Sequence, residues 1–347
     1  MSLTTAFWLN RDELVQSFQN AIIQGMVATW SRCASRRVAP QEPDFVAGLV
    51  VDSTPQICDA LESVLSPRHI SVSVSAVFCH QTPQVTFGAC QRASCELGDI
   101  LFAYVHTPRS GPPIRNAILF QAKASAKQPY RIHGGEMDQL RLYADWPDFE
   151  YVRSPPLTGR RRSVTPKAPH SGAQYLLIDN RPPWEPMSGL LGVPNTYPVG
   201  CCMPDESLFD HGHLASELFA LLIFRAGRPF EDKPAALPKE DWSQVVWDLL
   251  EAGMKKVFNR KNSGMRGIPR AGSGPLRLMD GLSFNRASSP LSWNTAAEIL
   301  GWHDARFIYG RDNDTPPHNR EGGGDEEEPE GGVSIVLIET SERESEG

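Results

Sequence analysis

Two short apolar runs, Glu96 to Val105 and Ala117 to Lys123, constrain the fold of this chain more than any other feature. Each has the length and residue types of a β-strand, and the Pro- and Gly-containing stretch from Thr107 to Pro113 reads as the loop between them. The polar residues stand only at the ends. Asp99 opens the first strand, and Gln121 and Lys123 close the second. Strand side chains alternate between faces, so Gln121 and Lys123 share one face while Ala122 turns to the other. If the two strands pair antiparallel, the start of one lies beside the end of the next. Asp99 then meets Gln121 and Lys123 at one edge of the sheet. A carboxylate, an amide oxygen and an ammonium converging there suit a hard cation and a phosphate.

Bulk properties narrow the surroundings. The 347 residues suffice for one large domain or two ordinary ones, and 40% hydrophobic content with mixed charge describes a globular chain. No apolar run approaches the roughly 18 residues that span a membrane, and no signal-peptide pattern opens the sequence. The seven cysteines lack repeated Cys-x-x-Cys pairs, which fits free thiols in a reducing cytoplasm better than disulfides or zinc. The net charge of −7 is unevenly divided: residues 321–347 carry −9 and the remainder +2. A mildly basic body permits contact with nucleic acid without requiring it.

Around the two strands the pattern predicts further elements. Leu14, Phe18, Ile22, Met26 and Trp30 recur every fourth residue and predict a helix from Asn10 to Trp30. A second helix starts near Glu42-Pro43-Asp44, is interrupted at Asp52 to Pro55, and resumes from Ile57 to Leu65. Ile70 to Val77 alternates as a strand, and Val85 to Phe87 reads as a short return strand. Glu136 to Trp146 is helical, with Glu136, Gln139 and Tyr143 on one face, and Ala173 to Ile178 is a strand. The Pro-rich stretch from Arg181 to Pro204 reads as a long connection. Helices are expected over Glu206 to Phe224, Lys239 to Asn259 and Trp293 to Leu300. A strand at Arg306 to Tyr309 is expected to pair with Val333 to Ile338 across the acidic Gly322 to Gly332 linker.

With Gly98-Asp99 on one strand and Gln121-Ala122-Lys123 ending the next, this order resembles the PD-(D/E)xK, or restriction-endonuclease-like, nuclease superfamily. The closest pattern is its Mrr-like Gln-x-Lys branch, and the resemblance spans Glu42 to Asn180. It implies an α/β fold with a mixed central sheet and an αβββαβ core. It implies Asp99 as metal-binding aspartate, Gln121 at the variable acidic position, the Ala122 carbonyl as a ligand, and Lys123 orienting or activating water. Glu42 is the candidate acid from the preceding helix, with Asp44 second and Glu96 as a further donor. Two departures stand out: Gly98 replaces the usual Pro, and Gln121 brings no charge.

The implied activity is Mg²⁺- or Mn²⁺-dependent hydrolysis of phosphodiesters, because a cation held by oxygens polarises the phosphate and makes a bound water nucleophilic. The implied setting is prokaryotic defence or DNA processing. Its partners are nucleic acid (DNA before RNA), a second copy of the chain or a partner defence protein, with no membrane. The rival expectation is a binding or scaffold protein on an inactive nuclease fold, kept open by Gln121. Arg160, Arg161 and Arg162, with Lys255 and Lys256, are the candidate nucleic-acid contacts. The expected division is a nuclease core over 1–180, a mainly helical accessory region over 181–320, and an acidic loop with a final strand over 321–347. No Walker loop, dinucleotide fingerprint or Gly-x-Ser-x-Gly elbow is present.

Overall fold

The protein is described by a computed structural model. It covers residues 2–35, 37–79, 83–154, 156–167, 172–182, 198–232, 242–259, 264–265, 268–269 and 332–342, with side chains in the helix that ends at Asn259 described as far as residue 253. Four helices lead: α1 (Leu3–Leu9), α2 (Arg11–Ser35), α3 (Glu42–Val51) and α4 (Ser53–Leu65). Strands β1 (Ile70–Val77), β2 (Gln84–Phe87), β3 (Cys95–Glu96), β4 (Ile100–Thr107), β5 (Ile114–Ala124) and β6 (Tyr130–Arg131) follow. Next come α5 (Met137–Asp145), β7 (Phe149–Val152), β8 (Arg161–Arg162) and β9 (Ala173–Ile178). The remainder comprises β10 (Val199–Cys202), β11 (Ser207–Leu208), β12 (Gly212–His213), α6 (Leu214–Leu222), β13 (Arg228–Pro229) and α7 (Trp242–Asn259). Then come a small pair, β14 (Gly264–Met265) with β15 (Ile268–Pro269), and finally β16 (Ser334–Glu342).

The fold is α/β, built on a mixed eight-stranded sheet in the order β1-β16-β4-β5-β9-β10-β12, with β13 continuing beside β5. β4 and β5 pair antiparallel, with Ile100 opposite Phe120. β9 runs parallel to β5, as a crossover through α5 requires. Both faces of the sheet are covered. Ile100, Phe102 and Tyr104 of β4 pack with Ile118 and Phe120 of β5 against α1–α4 and α6. The alternate residues, Leu101, Ala103, Ala117 and Leu119, face α5, α7 and a second sheet, β3-β2-β7-β8. This period of two assigns Asp99, Gln121 and Lys123 to the second face.

The close crossing of α2 and α3 fixes where α3 begins. Gly25 and Gly48 face each other so tightly that a Cβ on Gly48 would lie 2.7 Å from the Gly25 carbonyl oxygen. Asp44, the second-choice acid, is occupied in starting this helix: its Oδ2 accepts the Gln41 N–H at 2.7 Å. A first-turn carboxylate that satisfies an otherwise orphaned donor is a capping residue. That leaves Glu42 as the acid available at the helix start.

Several expectations are corrected. The final strand is not a hairpin partner of residues near Phe307, which lie outside the described residues together with the expected helix at 293–300. Instead, β16 lies between β1 and β4, antiparallel to the first and parallel to the second, so both its edges are used. The physical reason is its composition. Ile335 and Leu337 bury one face while Val336 and Ile338 bury the other, and a strand apolar on both sides belongs in the middle of a sheet. β2 does not return to β1 but founds the second sheet with β3 and β7. The Pro-rich connection contains β10, paired with β9. Helix α6 starts at Leu214, because residues 207–208 and 212–213 form β11 and β12. The described part of 181–320 is not a separate body: β10 and β12 widen the main sheet, and α6 and α7 pack on its two faces. No described helix is long and apolar enough to cross a membrane, and all seven cysteines are free thiols.

Candidate active site

Asp99, Gln121 and Lys123 are brought together as the strand pattern requires. The Asp99 N–H donates to the Phe120 carbonyl at 2.8 Å, extending the β4–β5 ladder to the residue itself. Asp99 Oδ2 accepts the Ala122 backbone N–H at 2.7 Å and also the Gln121 side-chain amide. The Asp99 carbonyl accepts the Ser334 N–H at 2.9 Å, so β16 anchors the same residue from the other side. Lys123, buried at 6% exposure, reaches Gln139 Oε1 at 3.3 Å and Glu136 Oε1 at 3.4 Å, both supplied by the segment that enters and forms α5.

Gly98 has a specific cause. A Cβ there would fall 2.7 Å from the Tyr143 hydroxyl and 2.8 Å from Leu119 Cδ1. The Tyr143 hydroxyl crosses over this glycine to donate to the Leu97 carbonyl at 2.9 Å. The departure from Pro is therefore paid for by α5, whose aromatic side chain takes the space a ring would need.

The electrostatics are dominated by acids gathered around one lysine. Glu42, at the start of α3, is pushed up to about 8 by burial and by Asp99, Glu96 and Glu136, against the opposing pull of Lys123. Burial and Asp99 raise Glu96 to about 7, and burial raises Asp99 to about 6 despite Lys123 and the Ala122 N–H. Burial also pushes Glu136 up, but Lys123, the Tyr130 hydroxyl and His133 outweigh it and hold that carboxyl below its ordinary value. For Lys123, burial would lower the pKa, yet Glu42, Asp99 and Glu136 overcome it and the value is raised. In the metal-free protein, Lys123 is therefore held in its cationic form by the surrounding carboxyls.

Glu136 also links Tyr130 and His133, neither of which the sequence pattern singles out. Its Oε1 and Oε2 accept the Tyr130 hydroxyl at 2.9 and 3.0 Å, and Oε2 lies 2.9 Å from His133 Nδ1. Tyr130 sits on the two-residue strand β6, too short to carry a periodic signal. Glu96, Glu136 and Gln139 also line a cleft of ≈ 580 Å³, with Arg92, His133 and Gly135 among its other lining residues.

The candidate nucleic-acid residues lie elsewhere and are largely committed. Arg162 donates to both carboxylate oxygens of Asp248 on α7, at 2.7 and 2.9 Å, and Arg160 reaches the same Asp248 at 3.0 Å. Arg161 is exposed and pairs with Glu150 at 2.8 Å. Lys255 and Lys256 fall in the part of α7 whose side chains lie outside the described residues.

Among the described residues, no group of three or more His, Cys, Asp or Glu side chains is arranged to hold a metal ion. Two features nevertheless fit a cation: the buried Gln121 Oε1 has no hydrogen-bond partner, and the carboxyls of Glu42, Glu96 and Asp99 lack enough positive charge to ionise at their ordinary pH. No protein-family model, no curated protein and no solved structure matches the chain.

Proposed function

We propose that this protein is a metal-dependent nuclease of restriction-endonuclease-like type, hydrolysing phosphodiester bonds of DNA before RNA. One observation carries the reading. Asp99, Gln121 and Lys123 share one face of adjacent antiparallel strands, with Glu42 coupled to them from the start of α3. Within the main sheet the order of elements supports it: α4, β1, β4, β5, α5 and β9 match the αβββαβ pattern, with β16 inserted between β1 and β4 and with β2, β3 and β6 paired in other sheets.

Mg²⁺ or Mn²⁺ would be held by Asp99, the Gln121 amide oxygen and Glu42, with the Ala122 carbonyl and Glu96 as further oxygen donors. Once bound, it would supply charge to the phosphate and acidity to a water. The chain's own residues do the rest. Lys123, raised by its acidic neighbours in the metal-free protein, is placed to orient the attacking water and to neutralise charge developing on the phosphate. Gln139 and Glu136 fix the direction of its ammonium. The Ala122 N–H orients the Asp99 carboxylate.

The inactive scaffold remains the second reading on one observation: Asp99 Oδ2 is already shared by the Gln121 amide and the Ala122 N–H. Incubating the wild type, Asp99→Ala and Lys123→Ala with plasmid DNA and with RNA, in Mg²⁺, Mn²⁺ or chelator, separates the two. Metal-dependent cutting by the wild type, lost in both variants, is the expected result. Cutting that persists in Asp99→Ala overturns the site, and metal binding without cutting selects the scaffold.

A further inference from the structure

The cleft lined by Glu96 and Glu136 also has a cationic side chain in its lining that the proposed chemistry does not use. Arg92 stands on the wall between β2 and β3, exposed to solvent, and among the described residues its guanidinium has no hydrogen-bond or ion-pair partner. Free surface arginines are common, but this one is placed from two directions. Its own backbone N–H donates to Asp138 Oδ2 at 2.9 Å, and the preceding Gln91 N–H donates to Asp138 Oδ1 at 2.8 Å. Asp138 is only 1% exposed and belongs to α5, the helix that also carries Gln139, the partner of Lys123. The loop is thus clamped to the active-site helix by a carboxylate that accepts two consecutive amides.

The side chain then lies over Gly135, where a Cβ would come within 1.6 Å of the guanidinium carbon. Any larger residue at 135 would drive Arg92 off this position. A guanidinium lying over Gly135 in the lining of the cleft, with donors unspent, matches a planar fork that binds an oxyanion. Glu96 and Glu136 in the same lining repel a phosphate unless cations flank its path.

Resting on the nuclease reading of the neighbouring site, we propose that Arg92 binds a backbone phosphate of the nucleic acid in this cleft, with Asp138 and Gly135 positioning it. Arg92 is a substrate-binding residue, distinct from the group that acts on the bond being cut.

Counterion release gives a readout that a purely structural residue would not move. Binding of a labelled DNA duplex is measured in Ca²⁺, across a salt series, for wild type, Arg92→Ala and Arg92→Lys. Each lost phosphate contact on duplex DNA flattens the slope of log K against log salt by about 0.9. The expected result is that flattening in Arg92→Ala at an unchanged melting temperature, with Arg92→Lys recovering the slope but not the full affinity. Wild type that binds and cuts, with an unaltered slope in Arg92→Ala, overturns the role of Arg92 and leaves the nuclease reading standing. Wild type that neither binds nor cuts any nucleic acid overturns both. If Arg92→Ala melts lower, the Arg92→Lys slope decides: a slope equal to the wild type's upholds the contact, and a flattened one overturns it.

Discussion

The Asp99 carboxylate accepts the backbone N–H of Ala122 at 2.7 Å, which ties the start of β4 to the middle of the Gln121–Ala122–Lys123 run. The same oxygen takes the Gln121 amide, so Gln121 keeps two neighbouring carboxylates from standing where the superfamily pattern has an acid. Gln121→Glu exchanges that donor for a second charge without altering side-chain length. We expect a less stable metal-free protein, a Lys123 pKa raised further, and Mg²⁺ binding tightened by about tenfold, or ~1.4 kcal/mol. Calorimetric titration of both proteins checks it; equal or weaker Mg²⁺ affinity removes Gln121 from the metal site.

Gly98 and Tyr143 form a second testable pair. Gly98→Ala places a methyl against the Tyr143 hydroxyl and Leu119, and overpacking of this kind costs about 1–3 kcal/mol. Tyr143→Phe removes the hydroxyl that the new methyl meets at 2.7 Å. In denaturant melts the double variant is expected to be more stable than the sum of the two single changes. Strict additivity shows that the tyrosine is not what excludes a side chain at 98.

The acid cluster makes stability depend on pH in a stated direction. Glu42, Glu96 and Asp99 have folded values of about 8, 7 and 6, above the ordinary 4.5 and 3.8. In this window the folded chain holds protons that the unfolded chain has released, so stability falls as pH rises. Their contribution is complete below about pH 4 and is lost progressively up to about pH 8. Lys123, raised from 10.5, contributes a constant amount over that range. Metal-free melts at about pH 5.5 and about pH 8.5 should show the higher midpoint at the lower pH, and Glu42→Gln should narrow the gap. Mg²⁺ should recover more of the midpoint at the higher pH. A midpoint that climbs with pH in the metal-free protein contradicts the cluster.

Arg162 and Asp248 join β8 to α7 through two short charge-assisted bonds, both side chains less than a tenth exposed. Removing one partner of a buried ion pair costs about 3–5 kcal/mol, because the other charge is left without compensation. Asp248→Ala is therefore expected to lower stability by roughly 3 kcal/mol. Arg162→Ala should cost less, because Arg160 still reaches Asp248, and should leave the salt dependence of DNA binding unchanged. A flattened salt slope in a stably folded Arg162→Ala protein would restore Arg162 to the nucleic-acid surface.

What the sequence made legible follows the range of the interactions. Asp99, Gln121 and Lys123 were readable because strand alternation and one short loop decide their meeting, and both are local. Glu42 and Asp44 both stand out in the sequence at a helix start, and what separates them is the Gln41 N–H bond that occupies Asp44. The position of β16 was not readable by the same route, since its partners lie far back in the chain. Its two apolar faces were the available sign that it sits centrally. β10 was hidden by the prolines around it, and Arg92 by the fact that its placement is decided by Asp138 and Gly135 on another segment.

The central position of β16 has a consequence for how the protein comes into being. Its pairs with β4 and β1 join residues more than 230 positions apart, and contacts of such separation form late and slowly. On the ribosome, at about 5–20 residues per second, Glu42, Asp99, Gln121 and Lys123 all emerge well before Ser334. During that interval the facing edges of β1 and β4 have open hydrogen-bond ladders, and the Asp99 carbonyl lacks the amide that fixes it. The nascent chain thus passes through a stage in which its acids are made but not yet held. The same stage exposes two apolar strand edges that invite a chaperone or aggregation. Under the nuclease reading proposed above, this order of assembly would postpone cutting until synthesis has reached the residues that close the sheet.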